Sequence, residues 1–306
     1  MGHGDRGIAI RRTESVTLRM KIILIRASML VALAGACAAL AGCSPFSFLN
    51  AVAPGKGFSR QADVAYGLLP RQKLDVYVPN AAVKRPYPVV VFFYGGGWES
   101  GKRENYRFVG AALASRGVVT MVADYRLFPE VVFPAFVEDG ALAVRWAQDH
   151  AAESGGDPNR LFLMGHSAGA QIAAMLALNK QYLQAAGADP RLIAGLIGLS
   201  GPYDFLPLKS ATLKKIFGDP APRATQPIDF VTADAPPTLL INGSDDTTVD
   251  PGNSRRLAAA LKSVGRPVEH RVYAGVGHVR VVAGFSAPLA RGVPVTDDVM
   301  RFIDSN

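Results

Sequence analysis

Between the apolar run Leu161-Phe162-Leu163-Met164 and a helical pattern carrying Ile172 and Leu176 on one face, the chain reads Gly165-His166-Ser167-Ala168-Gly169. A strand that turns directly into a helix at a serine forces a strained backbone on that serine and leaves no room for side chains beside it. Gly165 and Gly169 meet that demand, so the pentapeptide predicts a sharp strand-to-helix elbow. The serine hydroxyl then stands at a helix N-terminus, where unpaired N–H groups and the macrodipole favour developing negative charge. Ser167 is the candidate nucleophile.

The elbow sits within an alternation of strand-like and helix-like segments. Leu74 to Val78 alternates apolar and polar residues, as a half-exposed edge strand would, whereas Val89 to Phe93 is continuously apolar and suits a strand covered on both faces. Further strand patterns follow at Val118 to Ala123, Leu161 to Met164, Ala194 to Leu199, Thr238 to Asn242 and Val268 to Tyr273. Helical spacing recurs at Val137, Ala141 and Val144, at Leu257, Leu261 and Val264, and from Thr296 to Ile303. This predicts an α/β fold: a mainly parallel central sheet with helices on both faces. Its 306 residues, 49% of them hydrophobic, suit one such domain. Gly201 to Pro237 breaks the alternation, being rich in Pro, Lys and Asp with a short helical pattern near Leu213 to Phe217. Insertions after a strand's C-terminal end line the ligand crevice of open α/β sheets. The segment reads as a small cap, with a passive surface loop as the alternative.

A serine hydroxyl needs a base within hydrogen-bond reach, and the base needs a carboxylate to fix its tautomer. Of five histidines, His3 lies near the N-terminus, His166 inside the elbow, His150 at a helix end and His270 within a strand pattern. His278 remains, in the loop Gly275-Val276-Gly277-His278 just beyond a strand's C-terminal end. It is the candidate base. Tyr94-Gly95-Gly96-Gly97-Trp98 follows the buried strand pattern, and three glycines allow backbone N–H groups to turn inward on an oxyanion. A phosphate loop is disfavoured, because no Lys-Ser/Thr pair follows.

The N-terminus has its own character. Half of the net charge of +8 lies in residues 1 to 42, and the remainder contains no basic run with interleaved aromatics, which argues against nucleic-acid binding. Ala27 to Ser44 is uncharged, small and apolar after a basic stretch, the layout of a signal peptide. Leu40-Ala41-Gly42-Cys43 resembles a bacterial lipobox, whose cysteine would be lipidated and become the mature N-terminus; an uncleaved signal anchor is the alternative. Either way the body is expected to be exported, held at the cell envelope and facing the periplasm or the exterior. Residues 1–43 are thus expected as leader, 44–60 as linker and 61–306 as the catalytic domain. Cys37 and Cys43 are the only cysteines, so no disulfide, cysteine nucleophile or cysteine metal cluster is expected in the body.

Tyr94 to Trp98, Asp124-Tyr125-Arg126 with Pro129-Glu130, Gly165 to Gly169, the loop Gly243 to Val249 and His278 together resemble the α/β-hydrolase fold. Within it they are similar to the hormone-sensitive-lipase-like and feruloyl-esterase-like carboxylesterases. That resemblance covers roughly Leu74 to Phe302. It implies hydrolysis of carboxylic esters of small molecules, with no cofactor and no metal, and a triad in chain order serine, acid, histidine. The loop after the penultimate strand offers Asp245 and Asp246; the family pattern Gly-x-x-Asp-x-x-Val selects Asp246. By the same resemblance the N–H groups of Gly96, Gly97 and Ala168 would form the oxyanion hole. Two departures stand out. Tyr94 replaces the histidine of the usual His-Gly-Gly-Gly, which changes how the loop is braced. The segment between Cys43 and the first strand has no room for the long N-terminal cap helices of many lipases. Both point to a smaller esterase acting on short acyl groups.

Asp124, Tyr125 and Arg126 are expected as a structural network. Trp98, Tyr203 and Phe205 flank strand ends and are either pocket lining or plain core. An amidase or arylformamidase-like activity would use the same residues. A peptidase of the prolyl-oligopeptidase type would be preceded by propeller repeats, and none occur. A non-catalytic binding module on this scaffold would carry a broken triad, whereas every member is present here.

Overall fold

The computed structural model describes residues 45–80, 86–219 and 221–306. The chain divides into two units at Phe48/Leu49, and the sheet and the candidate site both belong to the larger, Leu49–Asn306. The leader and Cys43 lie outside the described residues.

Eight strands form one sheet: β1 (Phe58–Ala65), β2 (Lys73–Pro79), β3 (Tyr87–Phe93), β4 (Val119–Ala123), β5 (Gly156–His166), β6 (Ile193–Leu199), β7 (Thr238–Gly243) and β8 (Val268–Tyr273). Their spatial order is β1-β2-β4-β3-β5-β6-β7-β8. From β4 to β8 every neighbour is parallel, while β2 pairs antiparallel with both β1 and β4. β4 and β7 are buried along their full length, and β3 and β6 at all but one position. Continuous apolar strands of this kind require helices over both faces. Arg107–Ala114 packs with Val295–Ser305 in one helical group, and Ala135–His150 with Ala168–Leu178 in another. Among the described residues no helix is long and apolar enough to cross a membrane.

Two expectations change. Leu74 to Val78 was expected at a half-exposed edge, yet β2 is an inner strand, and β1 takes the edge with a largely exposed face. The polar residue behind the alternation, Asp75, is fully buried. It accepts Arg60 Nη2 at 2.7 Å and Arg103 Nε at 3.0 Å, so an ion-paired carboxylate imitates a solvent-facing one in the pattern. The second concerns the span expected as linker, 44–60, whose described residues 45–60 include regular structure. A helix covers Pro45–Ala51, and β1 begins at Phe58. Leu49 is buried, and Asn50 donates to Glu104 O at 2.7 Å while accepting Phe108 N at 3.1 Å.

The order places β3 beside β5, and the connection after β3 runs to β4 on one side while that after β5 runs to β6 on the other. That is the topological switch point where open α/β sheets hold their ligands. Phe93 pairs with Gly165 across it, which brings the Tyr94–Gly97 turn beside the Ser167 elbow.

Candidate active site

Ser167 joins β5 to the helix Ala168–Leu178 with φ 56° and ψ −123°, a positive φ that a non-glycine residue adopts only under constraint. The constraint is contact. A Cβ on Gly169 would lie 2.1 Å from Phe93 O, and one on Gly165 would lie 2.1 Å from Gly169 O. Strand, turn and helix therefore close to backbone contact on both sides of the serine. Ser167 N donates to Leu199 O at 2.9 Å, tying the elbow to β6. Ala168 is the first residue of the helix, and the first N–H groups of a helix have no partner within it.

The glycine loop lies against this turn. A Cβ at Gly95 would stand 2.9 Å from Ser167 Cβ and 2.8 Å from His166 Nδ1. Gly96 and Gly97 take φ +146° and +63°, and Gly96 O accepts Glu99 N at 3.2 Å, Ser100 N at 3.0 Å and Ser100 Oγ at 2.9 Å. Because the peptide unit is planar and trans, the Gly97 N–H points opposite to that occupied carbonyl.

His278 and Asp246 come from the loops after β8 and β7. Their registers adjoin at Gly243 and Tyr273, and Ser244 N to Tyr273 O at 2.9 Å and Asp245 N to Val276 O at 3.0 Å lock the loops together. His278 Nδ1 meets Asp246 Oδ2 at 2.7 Å, with the carboxylate side chain fully buried. The other oxygen, Oδ1, accepts Thr248 N at 3.0 Å and Val249 N at 2.9 Å. Burial pushes the Asp246 carboxyl up, but the His278 hydrogen bond and the Val249 and Thr248 N–H groups outweigh it and hold the carboxyl below its ordinary range. Asp245 is exposed and accepts the Ser244 hydroxyl at 2.7 Å.

His166 links the two halves. Its ring lies 4.8 Å from that of His278, and its Nε2 is 3.4 Å from His278 O. Burial, then the neighbouring His278 imidazole, hold His166 down to about 3, so it is neutral at ordinary pH. His166 thus adjoins Ser167 in the chain and His278 in space. Among the described residues, no hydrogen bond joins Ser167 Oγ to His278 Nε2.

Trp98 is buried and donates from Nε1 to Gln171 Oε1 at 3.3 Å. Gln171 N in turn donates to Ser167 O at 3.3 Å, so the indole is bonded to a residue of the first turn of the helix that follows the serine. The Gly201–Pro237 excursion packs onto this indole through Phe205, stacked at 6.1 Å, and Phe217, edge-on at 4.8 Å; Gln171 Nε2 also holds Thr225 O at 3.2 Å. Trp98 and Phe205 thus meet in one cluster, whereas Tyr203 is core: it is fully buried, with its hydroxyl end in the space left by Gly198 and Gly201. Asp124 binds the main chain and guanidinium of Arg103, and Arg126 clasps the buried Asp139, the expected structural network. Gln171 and Phe217 were not singled out from sequence. A glutamine inside the apolar helix Ala168–Leu178 was the available signal for the first.

A family model described as BD-FAE matches residues 74–261. The chain is 32% identical over 247 residues to the isoprenylcysteine alpha-carbonyl methylesterase of Arabidopsis thaliana, covering 72% of this chain and 57% of that one. It is 32% identical over 236 residues to an esterase, LipC, of Mycobacterium tuberculosis, covering 70% and 58%. The chain spans between 50% and 59% of the length of the methylesterase relatives of this group. Among solved structures, an esterase of Thermogutta terrifontis with butyrate bound superposes with a TM-score of 0.65 at 26% identity, covering 81% of this chain and 94% of that one.

Proposed function

The chain belongs to the BD-FAE family, on the α/β-hydrolase fold, and from that premise we propose that it hydrolyses carboxylic esters through an acyl-enzyme on Ser167. The observation that carries this reading is the 2.7 Å contact between His278 Nδ1 and the buried Asp246 carboxylate, at the same sheet end as a serine held at φ 56°. In the reaction His278 Nε2 takes the Ser167 proton as Oγ attacks the carbonyl carbon. Asp246 holds the imidazole by Nδ1–H and stabilises the imidazolium. Such serine–histidine bonds are often long in empty sites and tighten on substrate. The carbonyl oxygen becomes an oxyanion received by the N–H groups of Gly96, Gly97 and Ala168, each donor worth roughly 3 to 4 kcal/mol. The imidazolium then protonates the departing alcohol, and the tetrahedral centre collapses to the acyl-enzyme. Water activated by His278 releases the acid and restores Ser167.

Short acyl groups are the proposed substrates, because the rings of Trp98, Phe205 and Phe217 cluster directly after the glycine loop. The butyrate- and propionate-bound esterase structures of Thermogutta terrifontis agree with that size. Tethering through a lipidated Cys43 belongs to the same proposal and rests on the sequence alone. Ser167→Ala should reduce hydrolysis of nitrophenyl acetate and butyrate by at least about 10⁴-fold while leaving the thermal melt unchanged. Turnover at the wild-type rate would remove the reading.

A further inference from the structure

We propose that Arg71 is a positioning residue that clamps the two ends of the Tyr94–Gly101 loop and so sets the N–H groups of Gly96 and Gly97 for the oxyanion. The proposal rests on the esterase reading above. Arg71 lies in the turn between β1 and β2 and touches none of Ser167, Asp246 or His278. Its guanidinium instead satisfies three acceptors around one loop: Nη2 donates to the Tyr94 hydroxyl at 2.8 Å and to Gly101 O at 2.9 Å, and Nε donates to Tyr125 O at 2.9 Å. Tyr94 is where the loop leaves β3, and Gly101 is where it ends.

The tyrosine makes this clamp effective. Its ring is stacked between Tyr125, at 4.8 Å and 24°, and Tyr106, at 5.5 Å and 19°, and the Tyr125 hydroxyl donates to Tyr94 O at 2.8 Å. The side chain runs beneath the loop to its far end: a Cβ on Gly101, at φ +107°, would sit 2.7 Å from the Tyr94 ring and 2.9 Å from Gly95 O. One nitrogen of Arg71 thus joins the ring's hydroxyl to the exit carbonyl, closing a circuit around the glycines. Only a planar, multiply donating group can meet all three acceptors at once, which a lysine ammonium on a flexible stem does poorly. Oxyanion donors must be held to within about 0.5 Å, and a displacement of about 1 Å costs on the order of 10²-fold in rate. The clamp therefore acts on kcat rather than on substrate affinity.

The test compares wild type, Arg71→Met, Arg71→Lys and Tyr94→Phe on nitrophenyl butyrate, with Ser167→Ala as the control for Ser167-dependent turnover. Arg71→Met should lose roughly 10- to 100-fold in kcat with KM within about threefold. Arg71→Lys should fall between Met and wild type, and Tyr94→Phe, which removes one hydroxyl from the same circuit, should lose several-fold in kcat. Added guanidinium at low millimolar concentration should restore part of the Arg71→Met loss. If Arg71→Met does not fold, Arg71→Lys and Tyr94→Phe carry the test. Wild-type kcat in the folded variants overturns the proposal, as does a loss confined to KM or to melting temperature. Absence of Ser167-dependent turnover in the wild type defeats the esterase reading itself, a result distinct from either.

Discussion

Ser167 is held at a positive φ that costs about 1 to 3 kcal/mol, and the residue before it has a consequence of its own. His166 is buried and titrates near 3, whereas an imidazole in the unfolded chain titrates near 6.5. Between those values the unfolded state takes up a proton that the folded state refuses. Stability from this group is therefore full above about pH 6.5 and is lost as the pH falls toward 3, with a slope approaching 1.4 kcal/mol per pH unit. The Asp246 carboxyl, held below its ordinary range, adds loss in the same direction at the acid end. Urea midpoints measured from pH 8 to pH 4 should decline below about 6.5 in the wild type and decline less in His166→Gln. Equal slopes would contradict the assignment. At this scale the sequence was partly legible. Ser167 stands out because glycines flank it between strand and helix patterns, and His278 because the other four histidines fall in unsuitable places. Asp245 and Asp246 are adjacent in one polar loop, and the family pattern was needed to choose between them. What separates them is burial, set by the path of the loop around Val276, a contact remote in sequence. Arg71 carried no signal, because all three of its acceptors lie at least 23 residues away.

Among the elements, continuous apolar runs are legible in the sequence and mixed ones less so. Val89 to Phe93 is a strand because β-branched and aromatic residues covered on both faces have no competing amphipathic arrangement. β2 was misplaced because Asp75 satisfies its charge inside the protein, and alternation records polarity rather than solvent contact. The excursion after β6 shows the same limit. Its short helix, Ala211–Phe217, was visible, but the docking of Phe217 edge-on against Trp98 depends on tertiary packing. On the proposed esterase reading, that contact makes the excursion a wall of the acyl space. Phe217→Leu keeps the site apolar while removing the ring edge, and a buried methylene is worth about 0.8 kcal/mol. The ratio of kcat/KM for octanoate over acetate nitrophenyl esters should therefore rise roughly threefold to tenfold. An unchanged ratio would place the acyl chain elsewhere.

For the molecule as a whole, strand order is what assembles the site. β3 lies between β4 and β5, so the glycine loop and the serine elbow emerge side by side, and the β7 and β8 loops deliver Asp246 and His278 as a bonded pair. The alternation of patterns predicted a parallel sheet but not this order, since order is decided by pairings between strands tens of residues apart. The same arrangement makes the central claim directly measurable. Mixing the protein with nitrophenyl butyrate, quenching in acid within the first turnover and mapping the peptides by mass spectrometry should reveal one butyryl group, on the peptide containing Ser167, and none in Ser167→Ala. An adduct on another residue, or hydrolysis that proceeds with Ser167 never acylated, would contradict the account.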